Sequence, residues 1–577
     1  MESTFSFLKD YNGRTKLKND YKENALLLYA LQLRFDIEDI DSVAADALTD
    51  GGNDKKCDLI YVDRDLGIAV VAQAYNRQNP KATDVAKENK ACDLNTASSW
   101  VFMDDLSAIP TEIRNAVIDL QNAINEQEIS AVFFWYVHNM DEHNSDAISA
   151  DMLALQYQVQ ASVDSKYPDK ELKIEALEVG LNTIQKWFDN SKKRISITDN
   201  FTLKCPFGFA INKENWRAFV TAVSGAWLRD LYKAKGTDLF SGNPRNFLGK
   251  GSRKNRINYG IIQSVENEPE NFWAYNNGVT ALVNDFEYNR RKLTIKGITI
   301  INGAQTTGAI SAAKETDKEF LIPCRFIVCS DNTIIESIIN NNNKQNEILP
   351  SDLRSNDKQQ ERLRQEFLSY PALYYNGGRR DDKNVRSRTV FDPYLVSQTV
   401  LAYHGDCITA YNGRKRIWDE DKLYTQVFDD QLSAKHIIFI YSLSRAIDKC
   451  KNELRDKGEG RTDSENQMHH FLSARGSKML LIATVSNCLE DLIGEKIIIK
   501  KNLCFRDNSD FECLINKWCE VIKIILPFNS TLSEALKDGL KNKEVAYKQI
   551  EEVKNFITSL SSMYAEKLKD FKDSIVC

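Results

Sequence analysis

An acid that opens one strand and a glutamine that closes the next can share a divalent cation, and this chain carries such a pair in Asp58 and Gln73. Cys57-Asp58-Leu59-Ile60-Tyr61-Val62 has strand character. Asp63-Arg64-Asp65 reads as a polar turn, and Gly67 to Ala74 is strand-like again, so the pair falls on a hairpin. Gly51-Gly52-Asn53-Asp54 supplies a turn ahead of it. In such a hairpin an Asp and a second acidic or Gln position hold a metal. A lysine two residues on, placed on the same strand face by the period of two, orients or deprotonates a water beside a phosphate. Here that position is Tyr75, whose phenol, with a pKa of about 10, cannot neutralise phosphate charge as an ammonium does. Lys81, Lys87 and Lys90 follow, and the Asn79-Pro80 step gives the chain room to turn Lys81 back. Glu23 on a preceding helix is a candidate third ligand. The expected catalytic set is Glu23, Asp58, Gln73 and Lys81, with Asp58 the metal ligand and Mg the cofactor if the site is active. The alternative is that Asp58 only caps a strand edge and Gln73 only packs.

A second group of residues is rich in Asn and Gln, whose amides both donate and accept and so can read a base edge, ribose or phosphate. Phe272-Trp273-Ala274-Tyr275-Asn276-Asn277-Gly278 has a hairpin signature, because Asn-Gly fits a primed turn. Ile298 to Ile301 reads as a strand that enters a helix through Asn302-Gly303-Ala304-Gln305-Thr306-Thr307. That leaves free backbone N–H groups for an anion, although no Gly-Lys-Ser/Thr follows to make it a P-loop. The run Asn340 to Asp357 includes Asn343 and Gln345, and leads to a helix near Gln359 to Tyr370. Tyr374-Tyr375-Asn376-Gly377-Gly378-Arg379-Arg380 joins aromatic and guanidinium groups. Taken singly, each of these is also what a turn, cap or solvated loop looks like. Their shared chemistry predicts one nucleic-acid or nucleotide pocket built from Arg245, Asn276, Asn277, Asn302, Gln305, Thr306, Asn343, Gln345, Arg379 and Arg380.

The first hairpin resembles the restriction-endonuclease-like PD-(D/E)XK superfamily, nearest its Mrr-like branch with Q-x-K, and departs from it at Tyr75. The second group, with Leu239-Phe240-x-x-Asn243-Pro244-Arg245-Asn246-Phe247-Leu248-Gly249 upstream, closely resembles the AIPR family, named for abortive-infection phage resistance, from about residue 210 to 385. The motifs that carry this are L-F-x-x-N-x-R-x-F-L-G, F-W-x-x-N-N-G, N-G-x-Q-T-T and N-x-Q-N, with a Tyr-rich segment before a basic pair. The Asn-Gly-x-Gln block also looks faintly like the Asp-Gly-Gln-His-Arg block of DNA-modification regulators. The AIPR resemblance implies a prokaryotic, cytoplasmic anti-phage protein and pairs readily with a nuclease-like domain, but it brings no reaction with it. Two readings stay open. One is a metal-dependent nucleic-acid-cleaving effector. The other is a non-catalytic nucleic-acid or nucleotide-binding sensor or regulator with a degenerate nuclease fold. Either implies DNA or RNA, a phage-derived trigger and operon partner proteins as partners.

The elements that must position these residues give an α+β multidomain chain. An N-terminal restriction-endonuclease-like α/β domain spans 1 to 195, a central mixed α/β AIPR region 210 to 390, and a mainly helical C-terminal region 391 to 577. The run at 23 to 33 is too continuously apolar for a surface helix, so a buried helix is expected there. A helix near 111 to 125 precedes a strand at Ala131 to Val137. Asn215 to Lys233 has helical spacing, and residues 241 to 256 hold five basic residues and no acid. Ser533 to Asp570 reads as a long amphipathic stretch with Ile550, Val553, Ile557, Leu560 and Tyr564 on one face.

Composition narrows the function classes. The 577 residues carry 82 acidic and 76 basic side chains, so any contact with a polyanion must be local. A hydrophobic share of 42% supports large cores, which excludes fibrous and wholly disordered chains. No stretch approaches the roughly 18 apolar residues of a spanning helix, and the polar start does not read as a signal peptide, so no membrane role is expected. Twelve scattered cysteines without a C-x-x-C pair read as reduced packing residues. Six histidines, with only His469 and His470 adjacent, suggest no histidine metal cluster.

Overall fold

The computed structural model describes residues 5–576 except 36, 38, 50–53, 65, 82–83, 143–145, 171, 193–194, 196, 241–252, 315–318, 332–333, 336, 339–353, 355–356, 378–387, 509 and 538. Two compact units share the chain: Met1–Ile37, Lys55–Leu106 and Ala116–Ile348 in one, and Glu38–Asp54, Ser107–Asn115 and Leu349–Cys577 in the other. Helices and several sheets together make a mixed α/β protein. Among the described residues no helix is long and apolar enough to cross a membrane.

In the first unit, the helix Ala25–Phe35 is buried at every residue but Arg34, as its unbroken apolar run requires. Each of its leucines contributes about 1.5–3 kcal/mol by leaving water. Phe35 stacks on Trp135, with ring centres 5.5 Å apart, and ties this helix to a four-stranded sheet. That sheet runs in the order β1 (Leu59–Asp63), β2 (Ile68–Tyr75), β3 (Ala131–His138), β4 (Lys173–Val179). The β1–β2 pair is antiparallel, and β2–β3 and β3–β4 are parallel. Parallel neighbours need crossovers, and the helices Glu88–Val101 and Asp146–Lys166 belong to them.

A larger sheet follows, with β5 (Ile197–Lys204), β6 (Gly208–Asn212), β7 (Trp216–Ser224), β8 (Val279–Leu282), β9 (Asp285–Asn289), β10 (Lys292–Asn302) and β11 (Leu321–Cys329). Its order is β5-β10-β8-β11-β7-β6, with β9 also on β10. The helical reading of Asn215 to Lys233 is corrected here: β7 occupies its first half, and a helix begins only at Gly225. Apolar residues at 219, 220, 222 and 223 suit either period, and nine residues of pairing with β11 decide for the strand. Gly225 marks the switch, because a Cβ there would run into the Phe320 ring.

The second unit is mainly helical around Ala434–Asp456 and Ser477–Ile493, with a short parallel pair of β12 (Leu373–Tyr375) and β13 (Thr389–Phe391). The helix Ile40–Ala47 belongs to it through a charge cluster. Arg445 lies 3.3 Å from Asp39, 3.0 Å from Asp41 and 3.5 Å from Asp448. Lys478 lies 2.6 Å from Asp448, Lys451 3.2 Å from Asp46, and the Tyr441 hydroxyl donates to Asp39 at 2.7 Å. Burial opposes the charge on Lys478, but Asp448 and Asp46 outweigh it and hold the ammonium above its ordinary range. Removing Arg445 or Lys478 strands the buried Asp448 carboxylate, at about 3–5 kcal/mol. The long stretch from Ser533 is corrected to several pieces. Gly539 and Leu540 adopt left-handed backbone, Asn542 caps a new helix at Lys543–Ser559, and that helix ends at Leu560. Ile550, Val553 and Ile557 are buried, whereas Leu560 is exposed.

Candidate functional site

Strand pairing brings Asp58 and Gln73 together. The backbone N–H of Asp58 donates to the carbonyl of Ala72, which sets the acid beside the end of β2. Its Oδ2 accepts from Gln73 Nε2 at 2.7 Å and from the Ala74 N–H at 2.6 Å. Gln73 is 5% exposed, and its Oε1 has no hydrogen-bond partner among the described residues. A buried carbonyl oxygen left without a donor costs about 1–3 kcal/mol, and a cation is one partner that would satisfy it.

Around this pair the register builds a polar row at the C-terminal ends of the parallel strands. Gln73 stands beside Tyr136 and Tyr136 beside Glu178, while Tyr75 stands beside His138. Directly paired residues share a sheet face, and residues two apart keep to it. His138 is fully buried; its Nδ1 accepts the N–H of Met140, so its Nε2–H donates to Glu178 Oε1 at 2.9 Å. The rings of His138 and Tyr136 lie 5.0 Å apart, and the Tyr136 hydroxyl donates to the Lys87 carbonyl at 3.0 Å. Burial raises the Tyr136 hydroxyl above the ordinary phenol range, against the hydrogen bond to Lys87, so it stays a donor. Lys87, the residue that enters the Glu88–Val101 helix, carries its Nζ 5.0 Å from the centre of the Tyr75 ring.

The other expected members are placed differently. Glu23 reaches the end of β2 through its backbone carbonyl, which accepts from Asn76 Nδ2. The Lys81 side chain is exposed and its backbone N–H donates to Asp84, so it is not joined to the pair. Lys90 lies 3.5 Å from Asp93. Among the described residues no three His, Cys, Asp or Glu side chains gather into a metal-holding group. Sequence reasoning missed His138 and Glu178. The one available signal was a polar residue closing the apolar run of β3.

Two of the Asn/Gln motifs meet in the larger sheet. Asn302 pairs with Thr280, which brings the end of β10 to the start of β8. Asn276 Oδ1 accepts from the Gly278 N–H at 3.0 Å and from the Thr306 hydroxyl at 3.2 Å. Gly303, at φ 96°, caps the helix Ala304–Ala312, and a Cβ on it would lie 2.8 Å from the Gly278 carbonyl. The hairpin expected at Asn276-Asn277-Gly278 is corrected: a short helix, Phe272–Tyr275, precedes it, and the Asn276 side chain rather than a partner strand takes the turn N–H. Asn277 is exposed, Asn302 and Gln305 are half-buried, and Thr306 is buried. Arg245, Asn343, Gln345, Arg379, Arg380, the Gly51-Gly52-Asn53 turn and most of the 241–256 and 340–357 runs lie outside the described residues.

The fold and sites define a mixed α/β protein whose central sheet joins two asparagine–glycine motifs and whose smaller sheet carries a carboxylate–amide pair. A model of the AIPR protein family matches residues 240–572, more than half of the chain, and the chain belongs to that family. The family takes its name from abortive-infection phage resistance, and a part in phage defence follows from membership. Neither a curated protein nor a solved structure gives a match.

Proposed function

We propose that this AIPR protein is a phage-defence effector that cleaves nucleic acid with a divalent cation held by Asp58 and Gln73, in an N-terminal domain of the restriction-endonuclease-like kind. The observation that carries the reading is the part-buried Asp58–Gln73 contact, 2.7 Å long, with the buried Gln73 Oε1 left without a donor among the described residues. These two oxygen ligands suit Mg, which would supply charge neutralisation at a phosphate and acidify a water. An antiparallel hairpin that leads into parallel strands supports the fold assignment. Lys87 supplies near Tyr75 the ammonium that the motif position lacks, and Tyr136 holds the backbone of that lysine in place. In the central region, Asn276, Asn277, Asn302, Gln305 and Thr306 are the described residues assigned to nucleic-acid or nucleotide binding; Arg245, Asn343, Gln345, Arg379 and Arg380, assigned with them, lie outside the described residues. A phage-derived trigger and operon partners would act on this effector.

The test is incubation of the purified chain with Mg and plasmid, single-stranded DNA or RNA. Cleavage of at least one substrate is expected, stopped by EDTA and absent from Asp58→Ala. The sensor reading has its own supporting observation: the Asp58 carboxylate is already satisfied by two donors inside the fold, and Lys87 rests on an aromatic ring. A natural chain that protects cells yet cuts none of the three substrates would select it.

A further inference from the structure

The edge of the central sheet exposes aromatic rings beside unneutralised cations. Phe207 is 52% exposed, Phe209 59% and Trp273 42%, and the Phe207 and Trp273 rings meet edge to face with centres 5.8 Å apart. Phe207 and Phe209 flank Gly208 at the start of β6, the outermost strand. Clustered large aromatics left in water mark a binding surface more often than scattered single ones do.

The neighbouring β9–β10 hairpin is built at a cost to the fold. Asn289 pairs with Lys292, so Arg290 and Arg291 are its two turn residues, at φ 47° and 63°. Such a turn suits Asn-Gly, and L side chains with a Cβ adopt it against a steric penalty. Lys292 also stands directly opposite Lys204 on β5, where like charges destabilise a sheet. Among the described residues none of these four cations has a carboxylate within ion-pair distance. The Cys205 N–H donates to the Arg291 carbonyl at 2.9 Å, so the basic turn touches the chain two residues before Phe207. A strained turn and a like-charge pair, both unfavourable for folding, are explained together if a polyanion meets them.

We propose that this edge binds an unpaired nucleic-acid strand, with phosphates at Lys204, Arg290, Arg291 and Lys292 and bases stacked on Phe207 and Trp273. Every base has a face to stack, whereas a duplex hides those faces, so the combination selects single strands of either sugar. The inference rests on the reading of this chain as acting on nucleic acid, and adds the form of the ligand and its place.

Fluorescence anisotropy of the full chain in EDTA, with labelled oligo-dT, oligo-U and a duplex of equal length, tests it without cleavage. The natural chain is expected to bind at least one of the single strands more tightly than the duplex, the two arms separating DNA from RNA. Phe207→Ala/Trp273→Ala should weaken binding at least about tenfold. Arg290→Ala/Arg291→Ala should lower the slope of log affinity against log salt by about 1.4, since each phosphate contact on a single strand accounts for roughly 0.7. All these side chains are exposed or on a turn, and circular dichroism checks that the variants fold. Asp58→Ala should bind as the natural chain does, which keeps the two proposals apart: loss of cleavage with intact binding bears on the metal site alone. Equal affinity for the duplex, or unchanged binding in both double variants, would overturn the surface even in a chain that cuts.

Discussion

Lys87 stands with its ammonium 5.0 Å from the centre of the Tyr75 ring, although twelve residues separate them in sequence. A cation over an aromatic face is held at about 0.5–2 kcal/mol, strongly enough to fix a position and weakly enough to leave it to a phosphate. On the proposed nuclease reading, the tyrosine at the motif position is a seat for a charge brought from another element.

Lys87→Ala should lower cleavage about a hundredfold or more and abolish plaque protection, the usual scale for losing one charged group at a reacting phosphate. Lys87→Arg should keep part of both, since a guanidinium also rests on a ring. Initial cleavage rates and phage plating measure this. Full protection by Lys87→Ala, together with metal-dependent cleavage gained only by Tyr75→Lys, would mark the domain as degenerate.

Mg should raise the melting temperature of the natural chain, because a ligand that binds only the folded state stabilises it by RT ln(1 + [L]/Kd). Asp58→Asn should fold but show a much smaller rise, since it removes the only negative charge among the cation's proposed ligands and leaves two neutral amides. Differential scanning fluorimetry across a Mg titration reads both, independently of activity. An equal rise in Asp58→Asn would place the metal elsewhere.

The hydrogen bond between Thr306 and Asn276 predicts coupling of about 0.5–1.5 kcal/mol in a double-mutant cycle of Asn276→Ala and Thr306→Val. Gly303→Ala should cost more than about 1 kcal/mol, because φ 96° and the nearby Gly278 carbonyl both exclude a Cβ. Urea unfolding supplies the values. Additive single effects would mean that the two motifs adjoin without interacting.

His404 and His436 face each other with Nε2 atoms 3.1 Å apart, and His436 Nδ1–H donates to the Leu503 carbonyl. Burial, then the neighbouring His436 and Lys501, lowers His404 to about 3, and burial lowers His436 to about 4. Above the unfolded value of about 6.5 both states are neutral. Below it the unfolded chain binds protons that the folded one refuses, so stability falls with pH down to the folded values. Between pH 7 and 5 this amounts to about 2 kcal/mol per histidine. Urea midpoints at the two pH values should show the drop, and His404→Gln/His436→Gln should shrink it. An undiminished drop in the double variant would assign it to other groups.

The Asp58–Gln73 pair was legible because a strand period of two and one hairpin fix it locally. The meeting of Asn276 with Thr306 was not, since it depends on which β10 residue faces Thr280 across an intervening hairpin. Both motifs could be read, but not their distance. Val220, Ala222 and Val223 misled for a related reason: their spacing suits helix or strand, and the deciding partner lies about a hundred residues on in β11. His138 and Glu178 gave almost no signal, because single polar residues at strand ends become a row only once three strands lie side by side.

The helix Ile40–Ala47 sets a clock on synthesis. Asp39 leaves the ribosome 406 residues before Arg445, the cation it pairs with. At about 5–20 residues per second, that interval is on the order of 20–80 s. Throughout it the carboxylates of Asp39, Asp41 and Asp46 lack the partners that fix them in the finished chain. A nascent or prematurely ended chain that stops short of Arg445 therefore cannot close this charge cluster, so the helix Ile40–Ala47 takes its finished place only in chains translated past that arginine.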